Sequence, residues 1–177
     1  MNKLNIGSGE FKLESYINID SELSTKPDLV CDLKKNPLPF KSESIELIHM
    51  FHSLEHIEKR YWSWIFDEFR RVLKLDGQLF LAYPEFEKCS KNFLENYLGL
   101  RDLFRATLYG RQLYPGDYHV VPMVTSEVIS ELQHFGFYDF KSGADPDENW
   151  NSLILCKKGP LPMIREDVLR NEIFKKA

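Results

Sequence analysis

Short apolar runs, broken by glycine, proline and acidic clusters, alternate with one long amphipathic stretch in the first half of the chain. Lys3–Ile6 and residues 16–19 predict two strands, and residues 28–31 a third that is closed by Asp32. Pro37 and Pro39 keep residues 34–43 out of a helix. Ile45–Phe51 is almost continuously apolar, the pattern of a strand covered on both faces of a parallel sheet. Trp62, Ile65, Phe66, Phe69, Val72 and Leu73 recur at helical spacing. They predict a helix over residues 58–75, ended by Asp76-Gly77. Residues 78–83 predict a fifth strand, stopped by Pro84.

Residues 85–124 break this rhythm. They predict helices over 87–97 and Arg101–Tyr109, then an irregular loop, Tyr114-Pro115-Gly116-Asp117-Tyr118-His119. A helix over 125–135 follows, with Thr125 as its N-cap and Gly136 as its stop. Residues 138–142 and 151–157 predict two closing strands, and 166–176 a short C-terminal helix. The alternation of strands and helices implies an α/β fold. No repeat or linker divides the chain, so one domain is expected over 1–177, with 85–124 as an insertion.

Composition narrows the function. A net charge of −4 and a pI of about 5.8 lack the basic footprint of a nucleic-acid binder. Cys31, Cys89 and Cys156 are far apart and odd in number, which argues against a disulfide framework or a zinc site. A reducing cytoplasm is the expected home, and no metal and no membrane insertion are expected.

The chemistry begins at the N-terminus. Leu4-Asn5-Ile6-Gly7-Ser8-Gly9 reads as a strand running into a glycine turn, where a ligand can approach the backbone closely. Asp20, at the tip of the next strand, is placed to accept hydrogen bonds from ribose hydroxyls. A dinucleotide fingerprint is absent: there is no third glycine, and Asp20 follows Gly9 too soon.

Four further blocks join the glycine turn: Tyr16-Ile17-Asn18-Ile19-Asp20; Cys31-Asp32-Leu33 with Pro37-Leu38-Pro39-Phe40; Phe51-His52-Ser53-Leu54-Glu55-His56; and Glu68 through Gly77. In this order and spacing the chain resembles the class I S-adenosylmethionine-dependent methyltransferases, in their small type 11 branch. The resemblance runs from Leu4 to about Pro84 and more weakly to Gly136. It implies a Rossmann-like three-layer sandwich with a seven-stranded, mostly parallel sheet and one antiparallel strand near the C-terminus. It also implies S-adenosylmethionine as cofactor and S-adenosylhomocysteine as product. Gly7, Ser8 and Gly9 would pass under the methionine part of the cofactor, with Asn5 orienting the turn. Asp20 would hold the ribose, Asp32 the adenine amino group, and Leu33 would pack on the ring. Phe51 and His52 would lie near the sulfonium.

Departures from the family pattern shape the remaining expectations. Asn5 stands where most members carry an acid, and the segment between the first two strands is too short for a crossover helix. The insertion, rich in tyrosine and arginine, is read either as a lid or as a hairpin that packs on the sheet or mediates a homodimer. Glu55 and His56 are read as the start of the following helix. His119 is the candidate general base, oriented by Asp117, with His52 as the second candidate. The function expected is methyl transfer to a small or carbohydrate-type acceptor, by O-methylation. The alternative is a non-catalytic cofactor-binding or partner subunit that keeps the fold.

Overall fold

The computed structural model describes residues 2–114 and 116–160. Among them seven strands form one sheet: β1 Lys3–Ile6, β2 Ile17–Asp20, β3 Leu29–Val30, β4 Ile45–Phe51, β5 Leu73–Pro84, β6 Phe137–Ala144 and β7 Asn151–Lys158. Their order is β3-β2-β1-β4-β5-β7-β6. β1 lies parallel between β2 and β4, β3 joins β2 in parallel, and β5 joins β4 in parallel. β7 runs antiparallel to both β5 and β6. The expected mixed sheet, with its reversed strand near the C-terminus, is therefore present. The winding changes direction between β1 and β4, so ligands are expected beyond the carboxyl ends of those strands.

Helices α1 (Trp62–Val72) and α4 (Thr125–His134) serve one face of the sheet. Ile65, Phe66 and Phe69 of α1 and Val128 and Leu132 of α4 cluster with Leu4, Ile48, Met50, Leu79, Leu81 and Ile154. Arg70 ties the two helices together by donating to the Phe135 and Gly136 carbonyls, each at 3.1 Å. The alternate strand residues point the other way. Leu47, His49, Phe51, Phe80, Leu153 and Leu155 stay half-buried and outside that cluster. His49 stacks on Phe51 at 4.9 Å, and Phe80 meets both rings edge-on. Between β1 and β2 there is no helix, and between β2 and β3 only a single 3-10 turn, Leu23–Thr25.

Several predicted boundaries move. The helix ends at Val72, not Leu75, because Leu73 is already extended and pairs with Ile45. Asp76, at φ 60°, and Gly77 then carry the strand through an irregular excursion before Gln78 comes opposite Leu47. Thr125 is the first residue of α4 rather than its N-cap; its hydroxyl donates to Ser152 Oγ at 2.9 Å. Helix α2 covers Phe86–Leu94, shorter than expected, and α3 covers Arg101–Tyr109 as expected. Residues 166–176 lie outside the described residues.

Candidate active site

The glycine turn leaves β1 with Gly7 at φ 66° and Gly9 at φ 49°, a region that L side chains rarely adopt. A Cβ on Gly7 would lie 2.1 Å from Ser53 Oγ, so this glycine lets the β1 turn close onto the β4 tip. A Cβ on Gly9 would meet nothing within 4 Å, which leaves an open cradle beside the backbone. Asp20 Oδ2 accepts from Gly9 N at 2.7 Å and Oδ1 from Glu22 N at 2.8 Å. These bonds orient the carboxylate, and a carboxylate has further lone pairs for ligand hydroxyls.

Asn5 bonds to the segment that follows the glycine turn. Its buried amide donates to Phe11 O at 3.0 Å and to Asn18 Oδ1 at 2.9 Å. Asn18 in turn donates through backbone and side chain to Asp28 Oδ2, and these bonds hold Asp28 below the usual carboxylate range. Polar bonds thus fix a loop that has no crossover helix. Lys12, which sequence reasoning passed over, donates to Ser8 Oγ at 3.1 Å and to the Gly9 carbonyl.

Asp32 follows β3. Its Oδ1 accepts from Lys34 N at 3.0 Å, and its Oδ2 pairs with Lys35 at 2.9 Å. Burial works to raise its pKa, but the Lys35 and Lys34 bonds outweigh it and the net shift is downward. Leu33 is buried in the core, and its carbonyl accepts from Trp64 Nε1 at 3.0 Å.

The β4 tip carries the densest chemistry. His52 sits at φ 49°, unusual for a side chain of its size, while its N–H still reaches Ala82 O at 2.8 Å. Its Nδ1 lies 3.6 Å from Glu55 Oε1, and this pairing raises the imidazole pKa. Leu54–His56 form a 3-10 turn separate from α1, so Glu55 and His56 do not begin the long helix. Glu55 is 1% exposed rather than a solvated helix-start acid.

The insertion closes on this corner. Val120 N donates to Glu55 O at 2.8 Å, and His56 Nδ1 to Tyr118 O at 3.0 Å. His119 therefore lies beside the β4 tip, its ring 4.7 Å from that of His56. Its Nδ1 donates to Thr107 O at 2.8 Å. Asp117 does not orient the ring as expected: it is buried and accepts from Leu113 N at 3.1 Å, fixing the loop instead. Burial, the largest influence on His119, lowers its pKa and favours the neutral imidazole. One ligating atom each from Glu55, His56 and His119 fit within 4.8 Å of one another. Glu55 and His119 also line a cavity of about 10 Å³. The His-Ser-Leu-Glu-His string is the sequence feature that could have pointed to this cluster, although Glu55 and His56 read there as a helix start. Its link to His119 depends on how the insertion packs.

Tyr114 brings the insertion close enough to Asp20 and Glu22 to feel their charge. Burial raises its pKa first, then Asp117, with Asp20 and Glu22 adding smaller effects in the same direction. Arg101 and Arg105 lie over the Phe93 ring at 5.7 and 5.8 Å, and Arg111 pairs with Asp117, so these arginines serve the insertion itself.

Comparison with known proteins agrees with this geometry. Residues 14–81 match the family model of a methyltransferase domain. The structure is similar to a SAM-dependent methyltransferase from Archaeoglobus fulgidus, at 12% identity, covering 89% of this chain and 86% of the other, with a TM-score of 0.65. A possible histamine N-methyltransferase from Thermotoga maritima aligns at 15% identity over 89% and 81%, with a TM-score of 0.64. A SAM-dependent methyltransferase from Methanosarcina mazei aligns at 18% identity over 89% and 92%, with a TM-score of 0.59. No curated protein sequence matches. The chain has the class I S-adenosylmethionine-dependent methyltransferase fold. The cofactor that this fold and the matched segment call for is S-adenosylmethionine, and the open cradle at Gly9 beside the Asp20 carboxylate fits it.

Proposed function

We propose that this protein transfers a methyl group from S-adenosylmethionine to a hydroxyl of a small or carbohydrate-type acceptor. The observation that carries this reading is the approach of His119 to the β4 tip, next to the glycine turn that Ser53 touches. The cofactor supplies a methyl group on a cationic sulfonium. Asp20 holds its ribose, Asp32 its adenine amino group, with only the small exposed edge of Leu33 left to meet the ring, and Gly7, Ser8 and Gly9 its amino-acid end. Phe51 and His52 wall the sulfonium side, where an aromatic face suits a cation. With Nδ1 of His119 donating to a carbonyl, its lone pair lies on Nε2, ready to take the acceptor's proton. The insertion acts as the lid. Its exposed Tyr97, Tyr109, Tyr114 and Tyr118 can stack on a sugar ring. Among the described residues no helix is long and apolar enough to cross a membrane. A cytoplasmic setting is part of the same reading.

Calorimetric titration with S-adenosylhomocysteine tests the cofactor half. Two ribose bonds to a carboxylate are each worth roughly 1.5–3 kcal/mol. Asp20→Ala is therefore expected to weaken binding at least ~10-fold, and an unchanged affinity removes Asp20 from the site. Once an acceptor is found by screening sugars and small alcohols, His119→Ala should slow turnover by about 100-fold or more and leave cofactor binding intact. Because burial holds the His119 pKa below its ordinary value of 6.5, the wild-type rate should be level at neutral pH. It should fall only on acidification, as the base becomes protonated.

A further inference from the structure

Glu55 is hard to account for as a packing residue. It is 1% exposed, and neither carboxylate oxygen has a hydrogen-bond partner among the described residues. Its contact with His52, at 3.6 Å, is to a side chain that is 48% exposed. A buried carboxylate without hydrogen bonds is costly unless a charge compensates it closely.

The groups around it have the chemistry to do so. His56 and His119 both have Nδ1 against a backbone carbonyl, of Tyr118 at 3.0 Å and Thr107 at 2.8 Å. Carbonyls only accept, so both histidines carry the proton on Nδ1 and the lone pair on Nε2. A hydrogen bond on one ring nitrogen is what fixes tautomer and ring direction when the other binds a metal. The ligating atoms of Glu55, His56 and His119 lie within 4.8 Å of one another. Atoms sharing an ion at about 2.1 Å sit roughly 3–4 Å apart, so closure needs a shift of about an ångström.

We propose that Glu55, His56 and His119 form a binding site for a divalent first-row transition ion. Two imidazoles and one carboxylate suit zinc, cobalt, manganese or iron better than calcium or magnesium. Three protein ligands leave positions open for water or an acceptor oxygen. Both carbonyls that steer the histidines belong to the insertion, whereas Glu55 and His56 belong to the β4 tip. An ion here pins the insertion to the sheet. The ion would occupy the Nε2 lone pair that makes His119 the base above, so the loaded site and the free His119 base are alternative states. In the loaded state His52 is the remaining base candidate. The site itself does not depend on which acceptor is methylated.

The test is metal titration of the chelator-treated protein without cofactor, with Zn²⁺ followed by calorimetry and Co²⁺ by its visible absorption. The wild type should take up one ion per chain and gain thermal stability with ion concentration. Glu55→Gln and His119→Asn should each weaken binding by at least ~10-fold and lose that gain, while His134→Gln, a change at an exposed histidine on α4, should leave both unchanged. Glu55→Gln keeps the size and shape of a buried side chain that makes no hydrogen bond among the described residues, so it is expected to fold; His56→Gln provides the same binding test should either variant fail. No saturable uptake by the wild type, or equal uptake by the ligand variants, overturns the site. Loss of affinity in His134→Gln to the same extent as in the ligand variants also overturns it, because binding would then be generic to surface histidines.

Discussion

The two faces of the sheet differ in how they are covered, and the difference traces to loop length. On one face Leu4, Ile48, Leu79, Leu81 and Ile154 are fully buried under α1 and α4. On the other, Leu47, His49, Phe51, Phe80, Leu153 and Leu155 remain half-buried. A crossover helix between β1 and β2 would cover that second face. The segment between Gly7 and Tyr16 is too short to form one. The protein fixes this segment with the Asn5–Asn18–Asp28 hydrogen bonds instead. Hydrogen bonds hold a loop in place, but they do not bury a sheet face. The glycine turn therefore keeps its shape although the layer beneath it is thin.

The largest expected effect lies on the covered face. Phe66 is 0% exposed and touches both Trp62 and Phe135. Phe66→Ala should cost about 3–5 kcal/mol in chemical denaturation. Phe80→Ala, on the half-covered face, should cost clearly less, about 1–2 kcal/mol, because less of its ring leaves water on folding. Equal losses at the two positions would show that the second face is as well covered as the first.

The smallest expected effect is one of pH. Burial, and then Lys3, lower the pKa of His49 from 6.5. A histidine whose folded pKa is depressed binds its proton more readily in the unfolded chain. Its share of stability is therefore full above about pH 6.5 and is lost as pH falls toward the folded value. His119 shifts the same way and His52 the opposite way, so the informative quantity is a difference between variants. His49→Leu should lose less stability than the wild type between pH 7 and pH 5 in denaturant titrations. Identical pH dependence would mean that the face around His49 is as wet as the unfolded chain.

Much of this architecture is legible in the sequence because it depends on local periodicity. Ile45–Phe51 is read correctly from one apolar run, and the Gly-Ser-Gly turn follows β1 as expected, with Asp20 at the end of β2 bonded to it. The end of α1 is misread because Leu73 and Leu75 continue a helical spacing. Pairing of Leu73 with Ile45, a tertiary event, overrides that pattern. The Glu55 corner is hidden for a similar reason. His56 and His119 are neighbours only because the insertion folds back through Val120 onto the Glu55 carbonyl. Local spacing cannot encode such a contact. The glutamate's burial, which gives it its chemical interest, likewise follows from the packing.

Glu85 has a consequence for how such a protein can change. Its carboxylate accepts from Glu87 N at 2.9 Å and Lys88 N at 3.3 Å at the start of α2, and from Thr125 N at 3.1 Å at the start of α4. Phe86 N also donates to Met123 O at 2.8 Å, so the two ends of the insertion meet at a single carboxylate. Lengthening a loop whose ends are already joined adds only about 0.6 kcal/mol of closure entropy per doubling. The closure at the sheet therefore fixes that residues 86 and 123 are adjacent, while the length between them is constrained chiefly where Tyr118 and Val120 dock on the β4 tip. Between Phe86 and Tyr118 the segment can therefore change in length while its junction with the sheet is kept.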